Sequence, residues 1–336
     1  MRRSALGITA AAAAMVALDV RDRRAVAKDP LTPLLYEAPE GEAHEVTSAD
    51  GTRLHVESYG PADAPPVVLV HGWVCALSFW RLQVRDLARD HRVVAYDLRG
   101  HGRSGRPDGG DFSPDALADD LEAVLEQVVG DGPALLAGHS LGAMTIVAWS
   151  GRHPDSVRRR ASAVALLNTG IGDLVSESLL VRTPKRFSKV DQTLGAAALG
   201  AGAPLPPWPS PVSHRAVRYI ALSRDAPPAA VRFSEDLVLK TAPRVRADCG
   251  RELSRLDLQD RVEHLTVPTL VLAGERDRLT PPVHARKLAE SLPECTGLVE
   301  LPRTGHMAPL ERPDEVTRAL RDLADRRSAA PAPVLT

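Results

Sequence analysis

A serine stands between two glycines in Gly138-His139-Ser140-Leu141-Gly142, and the segments on either side decide what that pentapeptide is. Upstream, Pro133-Ala-Leu-Leu-Ala137 has the pattern of a short buried strand. Downstream, Ala143 to Ser150 is an apolar, helix-compatible run closed by Gly151 and Pro154. A strand, a G-x-S-x-G turn and a helix in immediate succession form a nucleophile elbow, a tight turn that lifts a serine Oγ above the edge of a parallel sheet. Side chains at 138 and 142 would collide with the neighbouring strand and helix, so both positions call for glycine. The serine also falls at a helix N-terminus, where backbone N–H groups and the helix dipole favour developing negative charge.

Such a serine needs an acid and a histidine later in the chain, in that order. Val267-Pro-Thr-Leu-Val-Leu-Ala273 reads as a buried strand followed at once by Gly274-Glu-Arg-Asp277. Asp277 therefore stands in the loop at a strand's C-terminal end, where open α/β sheets handle their ligands. Gly297-Leu-Val-Glu-Leu301 is a further strand, and Pro302-Arg-Thr-Gly-His306 follows it along the same edge. The chemistry assigns the roles: Ser140 attacks a carbonyl carbon, His306 takes its proton and returns it to the leaving group, and Asp277 fixes the imidazole tautomer. Glu275 and Asp173, the latter after the strand around Ala163–Leu167, compete with Asp277 for the acid.

The oxyanion formed in such an attack needs backbone donors, each worth roughly 100- to 1000-fold in rate. One is the N–H of Leu141, the residue after the serine. The other is expected from the loop after an earlier strand, Val67–Val70, where His71-Gly72-Trp73 places the Trp73 N–H. The side chains of His71 and His139 read as structural. The Trp73 indole fits an acyl pocket and plain packing equally well.

Together these residues resemble an α/β-hydrolase-fold serine hydrolase of the broad esterase, lipase and cofactor-free haloperoxidase group. The resemblance rests on His71-Gly72, Asp97-Leu-Arg-Gly-His-Gly-Arg-Ser104, Gly138–Gly142, Gly274–Asp277, Gly305-His306 and the trailing Leu310-Glu-Arg-Pro-Asp-Glu-Val316, and spans roughly residues 44 to 325. It implies a mostly parallel, doubly wound sheet with a helical cap inserted after strand 6. Ser140 argues against the epoxide hydrolases and haloalkane dehalogenases of this fold, which carry an Asp at the nucleophile position. It leaves open carboxylesterase, lipase, thioesterase, lactonase, C–C bond hydrolase and perhydrolase chemistry. A catalytically silent member used as a ligand receptor is the alternative from another class. The charges of Asp97–Ser104 read as loop braces.

Composition is that of an ordinary globular enzyme, 44% apolar and 25% charged over 336 residues. A net charge of −1 gives no electrostatic reason to expect nucleic acid. The three cysteines, Cys75, Cys249 and Cys295, are far apart and odd in number, so they imply neither a disulfide framework nor a zinc site. Cys75 lies near the oxyanion loop without an adjacent base. No metal or nucleotide motif occurs, and no cofactor is implied. The expected partner is a small-molecule, apolar ester.

Strands and helices alternate along the body of the chain, the mark of a mostly parallel sheet. Asp50-Gly51 joins two alternating runs within 44–60 as an edge hairpin. Ser113-Pro114 opens an amphipathic helix, Asp115 to Val129. The layout divides as a core over 31–171 and 256–325, a cap over 172–255, a leader over 1–30 and a disordered tail over 326–336. Within the cap, helical patterns near Val175–Val190 and Val212–Ser223 flank a Pro-rich run, Pro204–Pro211. Phe187, Trp208, Tyr219 and Phe233 suit either the pocket or the cap's own core. In the leader, Arg2-Arg3 precede Leu6 to Leu18, an apolar stretch of about 13 residues, short of the ~20 of a membrane span. Ala25-Val-Ala27 resembles a cleavage site, although the charged Asp19–Arg24 separates it from the apolar run. The segment reads as a cleaved signal or as an uncleaved helix associating with a membrane through residues 6–18, ahead of a cytoplasmic location.

Overall fold

Runs such as Pro66-Val-Val-Leu-Val70 and Val93-Val-Ala-Tyr96 are apolar throughout, which suits strands covered on both faces. The computed structural model describes residues 2–174, 178 and 208–328. Its strands are β1 (Glu42–Thr47), β2 (Arg53–Tyr59), β3 (Pro66–Val70), β4 (Arg92–Tyr96), β5 (Ala134–His139), β6 (Ala161–Leu167), β7 (Thr269–Gly274) and β8 (Cys295–Leu301). They form one sheet in the order β1-β2-β4-β3-β5-β6-β7-β8. β1 and β2 are the expected antiparallel hairpin, turning at Gly51 (φ +84°), and β2 meets β4 antiparallel. Every pairing from β4 to β8 is parallel.

The period-2 alternation of the strands sorts their side chains into two cores. Val68, Val70, Val94, Tyr96 and Leu136 join a cluster with α4 (Pro114–Val124) and α5 (Leu141–Arg152), including Leu117, Leu121 and Trp149. Val67, Leu69, Val93, Ala95 and Leu135 face the other way, onto Trp80, Leu87 of α3 (Arg81–Leu87) and Val316 and Leu320 of α12 (Pro313–Ser328). Each face of the sheet is therefore sealed by its own helices. Two further helices of this layer are α6 (Pro154–Arg160), before β6, and α10 (Pro282–Ser291), before β8.

The helix read over 115–129 changes character midway. α4 ends at Val124, and Leu125–Val129 is a wider π-type turn closed by Gly130 at φ +80°. The carbonyls this turn leaves free are taken by arginines: Arg92 donates to Val128 and Val129, and Arg160 donates to Gly130 at 2.7 Å. Such cross-chain capture is invisible to a local period.

Between β6 and β7 the described residues hold three α-helices, α7 (Pro211–Ala221), α8 (Pro228–Lys240) and α9 (Pro243–Leu253), before a short 3-10 helix over Gln259–His264. Only the first matches a pattern read in the sequence. The other two announce themselves only by a proline in the first turn, where its missing N–H costs nothing. The pattern at Val175–Val190 lies almost wholly outside the described residues, as do Phe187 and 204–207 of the Pro-rich run. Trp208 and Tyr219 are exposed, whereas Phe233 is buried.

Residues 2–28 form one helix, α1 (Arg2–Lys28), which runs straight through the charged stretch, and α2 (Leu31–Tyr36) follows. Among the described residues no helix is long and apolar enough to cross a membrane. α1 packs on α7 and α8, and Asp22 pairs with Arg215 at 2.9 Å. Asp29 accepts from the Ala229 N–H in the first turn of α8, and the Tyr36 hydroxyl donates to Asp236 at 2.6 Å. The Tyr36 ring meets Phe233 edge-on at 5.5 Å. On the core side, Arg85 of α3 donates to the carbonyls of Leu34 and Glu37. The N-terminal residues thus bridge the insertion to the core. Tyr36→Ala removes an aromatic pair and a bond to a carboxylate, so it is expected to cost about 2 kcal/mol in thermal or denaturant unfolding, with Tyr36→Phe losing less. At the other end, α12 runs to Ser328, and 329–336 lie outside the described residues.

Candidate active site

Ser140 sits at φ +53°, ψ −117°, in backbone space that favours glycine, at the turn between β5 and α5. That strained geometry is held from all sides. The Ser140 N–H donates to the Leu167 carbonyl at 2.9 Å, while its own carbonyl accepts from Ala143 N, Met144 N and the Thr169 hydroxyl, each at 3.0 Å. A Cβ on Gly138 would lie 2.5 Å from Ala143 N in α5, and one on Gly142 would lie 2.1 Å from the Val70 carbonyl oxygen of β3. Both obstacles are backbone and cannot swing aside. Gly142→Ala should therefore destabilise the protein by about 3 kcal/mol or more, read as a lowered denaturant midpoint or loss of soluble protein.

Ser140, Asn168, Asp277 and His306 follow the C-terminal ends of β5, β6, β7 and β8, four strands adjacent in the sheet. The close packing of Gly274, whose Cβ would lie 2.1 Å from the Gly305 carbonyl oxygen, draws the Asp277 and His306 loops together. His306 Nδ1 stands 2.7 Å from Asp277 Oδ2. The fully buried Asp277 accepts further bonds from the backbone N–H groups of Leu279 and Thr280, the Thr280 hydroxyl at 2.8 Å and Asn168 Nδ2 at 3.0 Å. Burial pushes its carboxyl upward, but the His306 imidazole and these donors outweigh it, and the group is held below its usual range. It stays ionised and able to orient an imidazole. The competing acids stand elsewhere: Glu275 and Asp173 are exposed, and Glu275 accepts from the Arg303 N–H.

The backbone around His306 is pinned by four hydrogen bonds from four parts of the chain. Gly305 N donates to Glu311 at 3.0 Å, and Gly305 O accepts from Asn168 at 3.1 Å. His306 N donates to the Ala221 carbonyl at 2.9 Å, and His306 O lies 2.8 Å from His139 Nε2. The last bond ties the residue before Ser140 directly to His306, and the two imidazoles are 4.9 Å apart. His139 is held to about 3 by burial first and then by the charge of His306, so it remains a neutral support.

The loop after β3 closes the site from the side. A Cβ on Gly72 would lie 3.1 Å from the Ser140 Cβ, so the chain can approach the elbow only as glycine. Trp73, half-buried, packs on the core beside it, and Val74 takes φ +55°. His71 is fully buried, with Nδ1 2.8 Å from the Gly72 carbonyl and Nε2 accepting from Leu98 N at 3.0 Å. It braces the loop. Asp97 does the same, accepting from Leu77 N at 2.7 Å and Arg103 N at 2.8 Å. Cys75 is buried, and burial pushes its thiol up to about 12, out of reach of nucleophilic chemistry. Among the described residues no group of three or more His, Cys, Asp or Glu stands close enough to hold a metal ion.

Sequence reasoning missed Asn168, Thr169, Thr280 and Glu311. The first two were in reach, being polar residues directly after an apolar strand whose neighbours carry the elbow and the acid. Asn168 also takes φ +47°, a conformation asparagine tolerates better than most residues.

Sheet order, elbow and a histidine–carboxylate pair at one sheet edge define an α/β hydrolase. The family model for the alpha/beta hydrolase fold matches residues 65–313, and the chain belongs to that family. It is similar to the bifunctional esterase/perhydrolase of Acinetobacter calcoaceticus, with 28% identity over 82% of this chain and 97% of that protein. A non-heme chloroperoxidase of Streptomyces lividans is also 28% identical, over 75% of this chain and 88% of the relative. Among solved structures, the enol-lactonase from Burkholderia xenovorans superposes with a TM-score of 0.67 at 26% identity, covering 84% of this chain and all of that one (100%).

Proposed function

We propose that the protein is a serine hydrolase that cleaves a carboxylic ester through an acyl-enzyme intermediate. In this reading Ser140 Oγ attacks the ester carbonyl while His306 Nε2 accepts its proton. The Leu141 and Trp73 N–H groups receive the developing oxyanion, at the N-terminus of α5. His306 then protonates the leaving alcohol, and in the second half it activates a water that releases the acid and restores Ser140. Asp277 holds the Nδ1–H tautomer throughout. The insertion over 172–255 serves as the cap that limits water access and shapes the acyl pocket.

The observation that carries this reading is the 2.7 Å bond between His306 and a buried, ionised Asp277 beside a serine on a strained elbow. It is tested with p-nitrophenyl esters from C2 to C16 and with a fluorophosphonate probe. Hydrolysis with a chain-length optimum and labelling at Ser140 are the expected results. A folded protein that neither turns over any ester nor takes the label would instead belong among silent, ligand-binding members. The names of two relatives support a second reading, in which hydrogen peroxide replaces water as the acceptor of the acyl group and a peracid leaves. Halogenation dependent on peroxide and acetate distinguishes it.

A further inference from the structure

Glu311 ends the short helix α11 (Ala308–Glu311) and is 3% exposed, yet the chemistry above makes no use of it. Its two carboxylate oxygens serve two different parts of the molecule. Oε1 accepts from Gly305 N at 3.0 Å, on the loop that carries His306, and Oε2 accepts from Ser223 N at 2.9 Å, just beyond the end of α7. The same junction is closed by the bond from His306 N to the Ala221 carbonyl. There is no slack in it, because a Cβ on Gly305 would lie 2.6 Å from Ser223 N. Burial raises the Glu311 carboxyl above its ordinary value, a cost kept for the sake of the two bonds.

We propose that Glu311 is a positioning residue through which the end of α7 sets where the His306 imidazole stands, so that the insertion and the general base move as one unit. A carboxylate is the side chain that fits: two converging N–H donors demand two acceptor oxygens. An amide offers one oxygen and turns an NH2 group toward the second donor. The proposal rests on the reading of His306 as the general base.

The test is Glu311→Gln, assayed with a soluble short-chain p-nitrophenyl ester, with a fluorophosphonate, by thermal unfolding and by proton NMR of the low-field His306 Nδ1–H signal. kcat and the labelling rate are expected to fall together by about 10- to 100-fold with KM little changed, since a misplacement of about 1 Å carries that penalty. The low-field signal should shift although Glu311 touches neither the ring nor Asp277. A variant with lowered thermal stability but wild-type kcat, labelling rate and NMR signal would overturn the proposal. If Glu311→Gln does not fold, Arg278→Ala tests the same link from the other side, because Arg278 donates to the Tyr219 carbonyl at 2.8 Å and holds the end of α7. That variant should lose kcat a few-fold with KM unchanged, and an unchanged kcat overturns the link. Wild-type protein that takes no label at Ser140 removes the reading of the site itself and the proposal with it, whereas normal wild-type labelling with an unaffected variant removes only the proposal.

Discussion

Ser140→Ala is expected to lower ester hydrolysis by about 10⁴- to 10⁶-fold while the protein folds as before. Both halves of that statement come from the elbow. The bonds that hold position 140 in its strained conformation all run through its backbone, to Leu167, Ala143, Met144 and Thr169, and alanine keeps every one of them. Stability should therefore stay within about 0.5 kcal/mol of wild type. What alanine lacks is the Oγ, so the variant should also take no fluorophosphonate. Retained hydrolysis at wild-type rates by a freshly purified variant would sink the mechanism. Asp277→Asn makes a useful companion, since it would leave the elbow untouched and present an amide to His306 Nδ1.

The second large effect is on stability in acid. His71, His101 and His139 are buried and neutral: burial holds His71 well below its ordinary value, His101 at about 4 and His139 at about 3. In the unfolded chain each titrates near 6.5. Between those values the unfolded state binds more protons, so stability is fully present above about pH 6.5 and is lost as the pH falls toward the folded values. At pH 5 His101 and His139 each cost about 2 kcal/mol, from roughly 1.5 pH units at 1.36 kcal/mol each, and His71 adds to the loss in the same direction. Asp97, Asp120 and Glu311 act the other way, because burial raises their carboxyls and the folded state gains from protonating them. The histidines are expected to win, giving a loss of several kcal/mol between pH 7 and pH 5 in urea titrations. His139→Gln, whose amide can still donate to the His306 carbonyl, should remove about 2 kcal/mol of that loss. A stability that is flat over this range in the wild type would contradict the neutral-histidine account.

Much of the scaffold was legible because it depends on local pattern. β3 and the stretches Val93–Tyr96 of β4 and Leu270–Ala273 of β7 are continuous apolar runs, and the hairpin turns at Asp50-Gly51 as expected. The placement of Ser140, Asp277 and His306 after the ends of β5, β7 and β8 was legible from the strand pattern and the chain order alone. Asn168 and Glu311 were not found, because their importance lies in partners more than 80 residues away in the chain, as with Asn168 and Asp277, or Glu311 and Ser223. The N-terminal run Leu6–Leu18 shows the same limit from the other direction. It has the length of a leader, and its pattern does not show that the helix continues through Asp19–Arg24, where Asp22 finds Arg215, 193 residues further along the chain. α8 and α9 were missed because their apolar faces are interrupted by charges that bond within the insertion, such as Arg232 with Asp236.

The four bonds that pin Gly305 and His306 have a consequence for the life of the polypeptide. They come from residues 139, 168, 221 and 311, so the setting of His306 is complete only once residue 311 has been made, long after Ser140. On the proposed roles of Ser140 and His306, a nascent chain halted between those two residues carries the elbow serine but has no base to activate it. On the same reading, products stalled between those residues are inert, and competence arises late in synthesis, only after the parts that hold the base have been made.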